Sequence, residues 1–119
     1  MSYDIEIGVK IADTDIIACI ATPNYDSPTY NIGKMLRKCT KWDFEQRKWY
    51  RVEEVISNIE HGINELKFNE KSYTKYNAPN GWGTTNTALY SLESLYICIE
   101  QCSNGWLFDI PIENLWVRW

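Results

Sequence analysis

A single histidine, His61, is the entire imidazole supply of this 119-residue chain. Chemistry built on a histidine triad or on histidine-held zinc therefore has little to draw on. Cysteine is also sparse: Cys19, Cys39, Cys98 and Cys102 form no C-x-x-C pair. Cys98 and Cys102 stand four apart in a segment of helical period, where a disulfide would be strained. The expectation is four reduced thiols acting as small hydrophobes, no metal and no cofactor. No apolar run reaches the roughly 20 residues of a membrane span. Asp4 and Glu6 stand where a secretory leader would be basic and then apolar, so a cytoplasmic protein is expected. Internal repeats, low-complexity tracts, P-loops, dinucleotide-binding glycine patterns and H-E-x-x-H are all missing. The familiar routes to catalysis are thus absent, and no catalytic residue is assigned.

What is present is an ordinary globular composition, 45% hydrophobic and 24% charged, with a formal net charge of −4. Charge is uneven along the chain. Residues 1–33 and 52–119 are acidic, whereas residues 34–51 carry Lys34, Arg37, Lys38, Lys41, Arg47, Lys48 and Arg51 against Asp43 and Glu45. The overall sign repels nucleic acid at long range, so strong nucleic-acid binding is not expected. A local basic segment can still hold a small anion.

Hydrophobic period supplies the architecture. Tyr3, Ile5, Ile7 and Val9 alternate with polar residues or glycine, and Ile16 to Ala21 follows a turn over Ala12 to Asp15, which predicts an N-terminal hairpin. Thr22 to Pro28 reads as a loop. From about Tyr30 to Cys39 the period becomes helical, with Ile32, Met35, Leu36 and Cys39 opposite Lys34, Arg37 and Lys38. Thr40 to Lys48 has no clear period. A second helix is predicted from about Trp49 to Phe68 on Val52, Val55, Ile56, Ile59, Ile63 and Leu66, with Gly62 costing it about 1 kcal/mol relative to alanine. Asn69 to Gly83 is a loop. A third helix, about Thr85 to Cys102, turns Ala88, Leu89, Leu92, Leu95, Tyr96 and Ile99 inward and stops at Asn104-Gly105. Leu115, Val117 and Trp119 alternate with Trp116 and Arg118 as a last strand. The sum is one α+β domain over 1–119: a small, mainly antiparallel sheet, hairpin plus C-terminal strand, packed with three helices.

His61 falls opposite the apolar stripe of the second helix, beside Glu54 and Glu65, and reads as a solvated side chain. The basic segment interleaves its cations with Trp42, Phe44, Trp49 and Tyr50. Cations bind phosphate and flat rings stack on bases, so the segment suits a nucleotide pocket, although its rings suit a core equally well. Lys75-Tyr76-Asn77-Ala78-Pro79-Asn80-Gly81-Trp82-Gly83-Thr84 is the most distinctive stretch. Its Pro-Asn-Gly turn sets Trp82 just before a helix, with Thr84 or Thr85 as N-cap, where free N–H groups receive anions; the same turn equally serves to plug Trp82 into the core and start the helix. The expected ligand site is therefore Asn80, Trp82 and Thr84 with Arg37, Lys38 and Lys41 as neutralising cations. Tyr90 and Ile97 lie on the wet side of the third helix, seven apart. With Trp116 they suggest a self-association or partner surface, and a homo-oligomer is expected.

The Met1-Ser2-Tyr3-Asp4-Ile5 start, the Tyr30-Asn31 step and the Asn77-x-Pro79-Asn80-Gly81-Trp82-Gly83 loop resemble a family of small uncharacterised phage and prophage proteins. The resemblance covers both ends of the middle region rather than the whole chain. It implies a small intracellular protein of a phage or mobile element, of the kind that counters host defence. The functional expectation is capture of a small, anionic, nucleotide-like signal without turnover. The alternatives are an inhibitor that docks onto a host defence protein, anti-CRISPR-like or otherwise, and a small nucleotide hydrolase using His61 or a glutamate as base.

Overall fold

The computed structural model describes residues 3–23, 30–81 and 83–119; the Met1-Ser2 start, most of the Thr22–Pro28 loop and Trp82 lie outside them. Within the described residues the alternating segments form strands β1 (Glu6–Lys10), β2 (Ile17–Ala21) and β4 (Trp116–Arg118). The helical segments form α1 (Gly33–Thr40), α2 (Val52–Phe68) and α3 (Thr85–Ser103). The fold is α+β with a small antiparallel sheet, as the periods require.

One strand was not legible. Tyr50–Arg51 is a two-residue strand, β3, where the sequence predicted the start of the second helix. Tyr50 pairs with Val117 and Arg51 with Trp116, and the Val52 N–H donates to the Leu115 carbonyl at 3.0 Å. Two residues are too few to show a period, and pairing with β4 outweighs their helical continuation. The sheet order is β2-β1-β4-β3, so the C-terminal strand lies between the hairpin and β3.

Strand alternation divides the sheet into two faces. Ile7 and Val117 pair on the inner face and are fully buried, with Ile5, Leu115 and Trp119 sharing the core. Glu6 with Arg118, and Gly8 with Trp116 and Cys19, pair on the outer face. A Cβ on Gly8 would come within 2.8 Å of the Trp49 ring and 2.7 Å of Ile17, so glycine lets that indole lie against the sheet.

The connector after α1 turns inward. Trp42 and Phe44 are buried, and Phe44 stacks on Trp119 with centroids 4.7 Å apart and planes at 17°. Tyr3 meets both rings edge-on at 5.8 Å. This cluster ties β1's approach, the connector and the residue after β4 together, with the offset and edge-on geometries that aromatic quadrupoles favour. Trp42 and Phe44 are therefore core residues and unavailable to a nucleotide. Arg37 holds Phe44: its Nε donates to the Phe44 carbonyl at 3.0 Å and its guanidinium lies 4.2 Å from the Phe44 centroid.

The three helices meet at Gly62. A Cβ there would stand 2.6 Å from Thr40 Cγ2 and 2.9 Å from Leu92 Cδ1, on the neighbouring helices. Between α2 and α3 the loop contains two 3-10 turns, Glu70–Ser72 and Thr74–Tyr76, around Tyr73. Buried Tyr73 donates its hydroxyl to Glu65 Oε1 at 2.7 Å.

Candidate ligand site

The residues expected to bind a ligand are placed as follows. Trp82 lies outside the described residues. Arg37 is engaged with Phe44, while Lys38 and Lys41 are exposed, Lys41 as the left-handed residue that ends α1. Asn80 is exposed in the turn. Thr84 is the N-cap of α3, in a reciprocal capping box with Thr87. The donors at that helix end are largely engaged within the chain. Thr85 N–H donates to Asn77 Oδ1 at 3.0 Å, Thr87 N–H to Thr84 Oγ1 at 3.4 Å, and Ala88 N–H to the Thr84 carbonyl at 3.0 Å. An anion arriving there competes with these bonds. Another α1 cation, Lys34, reaches Tyr76, whose centroid lies 5.6 Å from Lys34 Nζ and 5.3 Å from Nζ of the neighbouring Lys75.

His61 is not the solvated side chain its helical wheel suggests. It is half-buried, with Nδ1 2.8 Å from the Cys39 carbonyl. Only an N–H can bond a carbonyl, so Nδ1 carries the proton and the ring joins α2 to α1. The cysteines divide. Cys39, Cys98 and Cys102 are buried, and burial pushes the thiols of Cys39 and Cys98 each up to about 12. Cys19, on β2, is exposed, contrary to the expectation of a buried thiol.

A flat ring, two cations and a concavity come together at the hairpin end of the sheet. Trp116 is half-buried on the outer face, paired across the ladder with Gly8 on one side and Arg51 on the other. Lys10 Nζ lies 5.6 Å and the Arg51 guanidinium 5.7 Å from its ring centroid. All three side chains line a cavity of about 510 Å³, a size that suits a small ligand. Ile110 contributes an apolar wall, and Glu113 and Asn114, from the 3-10 turn before β4, supply a carboxylate and an amide.

The cations are loosely held. Lys10 pairs with Asp15 at 3.8 Å and Arg51 with Glu53 at 3.4 Å, both between substantially exposed side chains. Such surface pairs contribute about 0–1 kcal/mol, so a ligand anion can replace either carboxylate at little cost. Arg118, further along the same face, is held more firmly: Nε and Nη2 both bond Glu6 Oε1, at 3.0 and 2.8 Å, and the guanidinium lies 4.6 Å from the Trp49 centroid.

Trp116 was singled out in the sequence as a surface residue, but Lys10, Arg51, Glu113 and Asn114 were not assigned to a site. Arg51 stood out only as the end of the basic run. Its meeting with Lys10 depends on β4 lying between β1 and β3, and no local pattern carries strand order. Among the described residues no three His, Cys, Asp or Glu side chains converge to hold a metal ion. No helix among them is long and apolar enough to cross a membrane. No protein-family profile, curated protein or solved structure matches the chain.

Proposed function

We propose that the protein binds a small anionic ligand bearing a flat ring, a nucleotide or a close relative, in the Trp116 cavity and holds it without turnover. The observation that carries this reading is the convergence of Lys10 and Arg51 on one indole at the edge of a cavity of nucleotide size. The division of labour follows from the side chains. Trp116 stacks on the base, Lys10 and Arg51 neutralise phosphate, and Glu113 accepts hydrogen bonds from ribose hydroxyls or an exocyclic amine. Asn114 offers both donors and acceptors to a base edge. Retention rather than turnover is favoured because, among the described residues, the cavity lining holds no histidine, cysteine, serine or threonine to act as nucleophile or imidazole base. The resemblance to small phage proteins gives such capture a use, the removal of a host signalling nucleotide.

Differential scanning fluorimetry against AMP, adenosine, ADP-ribose and cyclic dinucleotides tests the reading. A ligand at a hundredfold excess over its Kd adds about 2.7 kcal/mol, which for a domain of this size is roughly 10 °C in Tm. At least one phosphorylated compound should produce such a shift and be recovered unaltered after heating, and adenosine should not. Lys10→Gln and Arg51→Gln should each weaken binding about tenfold without lowering the unliganded Tm. A panel without any shift, or a shift that both variants retain in full, contradicts the site. Recovery of hydrolysed ligand contradicts capture without turnover.

A further inference from the structure

A second surface lies on the helical side of the molecule and is independent of the Trp116 cavity. Ile97 is 53% exposed in the middle of α3, and Tyr90, two turns earlier, is 58% exposed. A cavity of about 310 Å³ adjoins Ile97 on the α2 side, where Ile63 and Tyr96 form its apolar surface. A cavity of about 480 Å³ adjoins it on the other, between Tyr90 and Leu107. Leu107 is held beside the helix because its N–H donates to the Gln101 carbonyl at 3.0 Å. The face is thus an apolar ridge between two pits, the relief that receives side chains of a packed helix spaced three or four residues apart.

Charge selects the occupant. Three glutamates of α2 and α3, Glu60, Glu93 and Glu100, stand near the ridge against one lysine, Lys67. Glu60 and Glu93 line the first pit, and Lys67 sits 3.4 Å from Glu93. Glu100 is exposed two turns beyond Glu93 and about one turn beyond Ile97. A second copy of α3 laid on this face would set glutamates against glutamates, because α3 contains no Lys or Arg. From this we infer that the ridge and its pits dock a basic amphipathic helix of another protein. Apolar side chains of that helix fill the two pits beside Ile97, and its Lys or Arg residues face Glu60, Glu93 and Glu100.

Fluorescence anisotropy with a labelled 18-residue peptide, Leu at helical i, i+3, i+4 spacing and Lys elsewhere, tests the inference. The controls are a scrambled peptide of the same composition and a version with Glu in place of Lys. The patterned Lys peptide should bind at least tenfold more tightly than either control. Ile97→Lys should reduce that binding at least tenfold with unchanged circular dichroism. Glu93→Gln with Glu100→Gln should weaken it several-fold and flatten its salt dependence. Equal binding of the scrambled peptide, binding that survives Ile97→Lys, or no binding overturns the inference. So does sedimentation showing a dimer that Ile97→Lys dissociates, which would make the face a self-contact.

Discussion

His61 illustrates how one side chain changes meaning once its neighbours are known. On the wheel of α2 alone it points away from the apolar stripe, yet α1 packs against that side and offers it the Cys39 carbonyl. The ring is a strut between helices, and removing it leaves a carbonyl with one bond fewer. His61→Ala should lower stability by about 1 kcal/mol, measured as a fall in the urea midpoint at constant m. A drop indistinguishable from zero would mean that solvent replaces the bond and that the strut is idle. The thiols make a second prediction at this scale. With Cys39 and Cys98 buried and pushed up to about 12, neither supplies thiolate near neutrality, and Cys102 is buried beside Cys98. Burial and then Glu6 also raise the Cys19 thiol, so its exposure decides: titration of the native protein with a disulfide reagent at pH 8 should show one thiol per chain reacting ahead of the other three. Cys19→Ser should abolish it. Two or more fast thiols would mean that α3 opens readily.

Among the elements, the helices and the hairpin were legible because each repeats its period several times. Met35, Leu36 and Cys39 are buried in α1, with Ile32 buried at its N-cap, and Val52, Val55, Ile59 and Leu66 are buried in α2, on the stripes their spacing defines. The connector was not legible, since Trp42 and Phe44 share no period and only the core reveals their role. Gly62 was visible in the sequence only as a cost to helix propensity. In the structure it is the crossing point of α1, α2 and α3, so alanine there gains about 1 kcal/mol in propensity but forces Thr40 and Leu92 aside. Overpacking of this kind costs typically 1–3 kcal/mol, and Gly62→Ala should be destabilising on balance in chemical denaturation. A more stable variant would show that the crossing has slack.

The link from α2 to the following loop adds a pH dependence. The Tyr73 hydroxyl donates to Glu65 and holds its carboxyl below the usual carboxylate range; burial, then Glu65, raises the Tyr73 phenol. The Glu65 contribution is present above its unfolded value of about 4.3 and fades as acid protonates the folded carboxylate. The Tyr73 contribution is complete below about pH 10 and fades as alkali ionises the folded phenol. Tyr73→Phe should therefore flatten both limbs of a plot of urea midpoint against pH. An unchanged profile would remove the bond from the account.

At the scale of the whole molecule, the sheet order assembles the Trp116 cavity proposed as the ligand site. The α+β class and both components of the sheet followed from the period, but the insertion of β4 between β1 and β3 did not, and that insertion brings Lys10, Trp116 and Arg51 together. Of the two readings the sequence left open for the rings of the basic segment, core or pocket, the structure gives Trp42 and Phe44 to the core. The sequence placed the same chemistry in the loop that holds Asn80 and Trp82, so the ring that meets the ligand separates the two locations.

Six tryptophans give six indole N–H resonances in a ¹⁵N-labelled sample, and Trp116→Phe and Trp82→Phe assign the two that matter. Titration with the nucleotide that gives the largest thermal shift should move the Trp116 resonance saturably, leave that of Trp82 in place, and lose its effect in the Lys10→Gln, Arg51→Gln double variant. A Trp82 resonance that titrates while Trp116 stays fixed would contradict the account and return the site to the loop before α3.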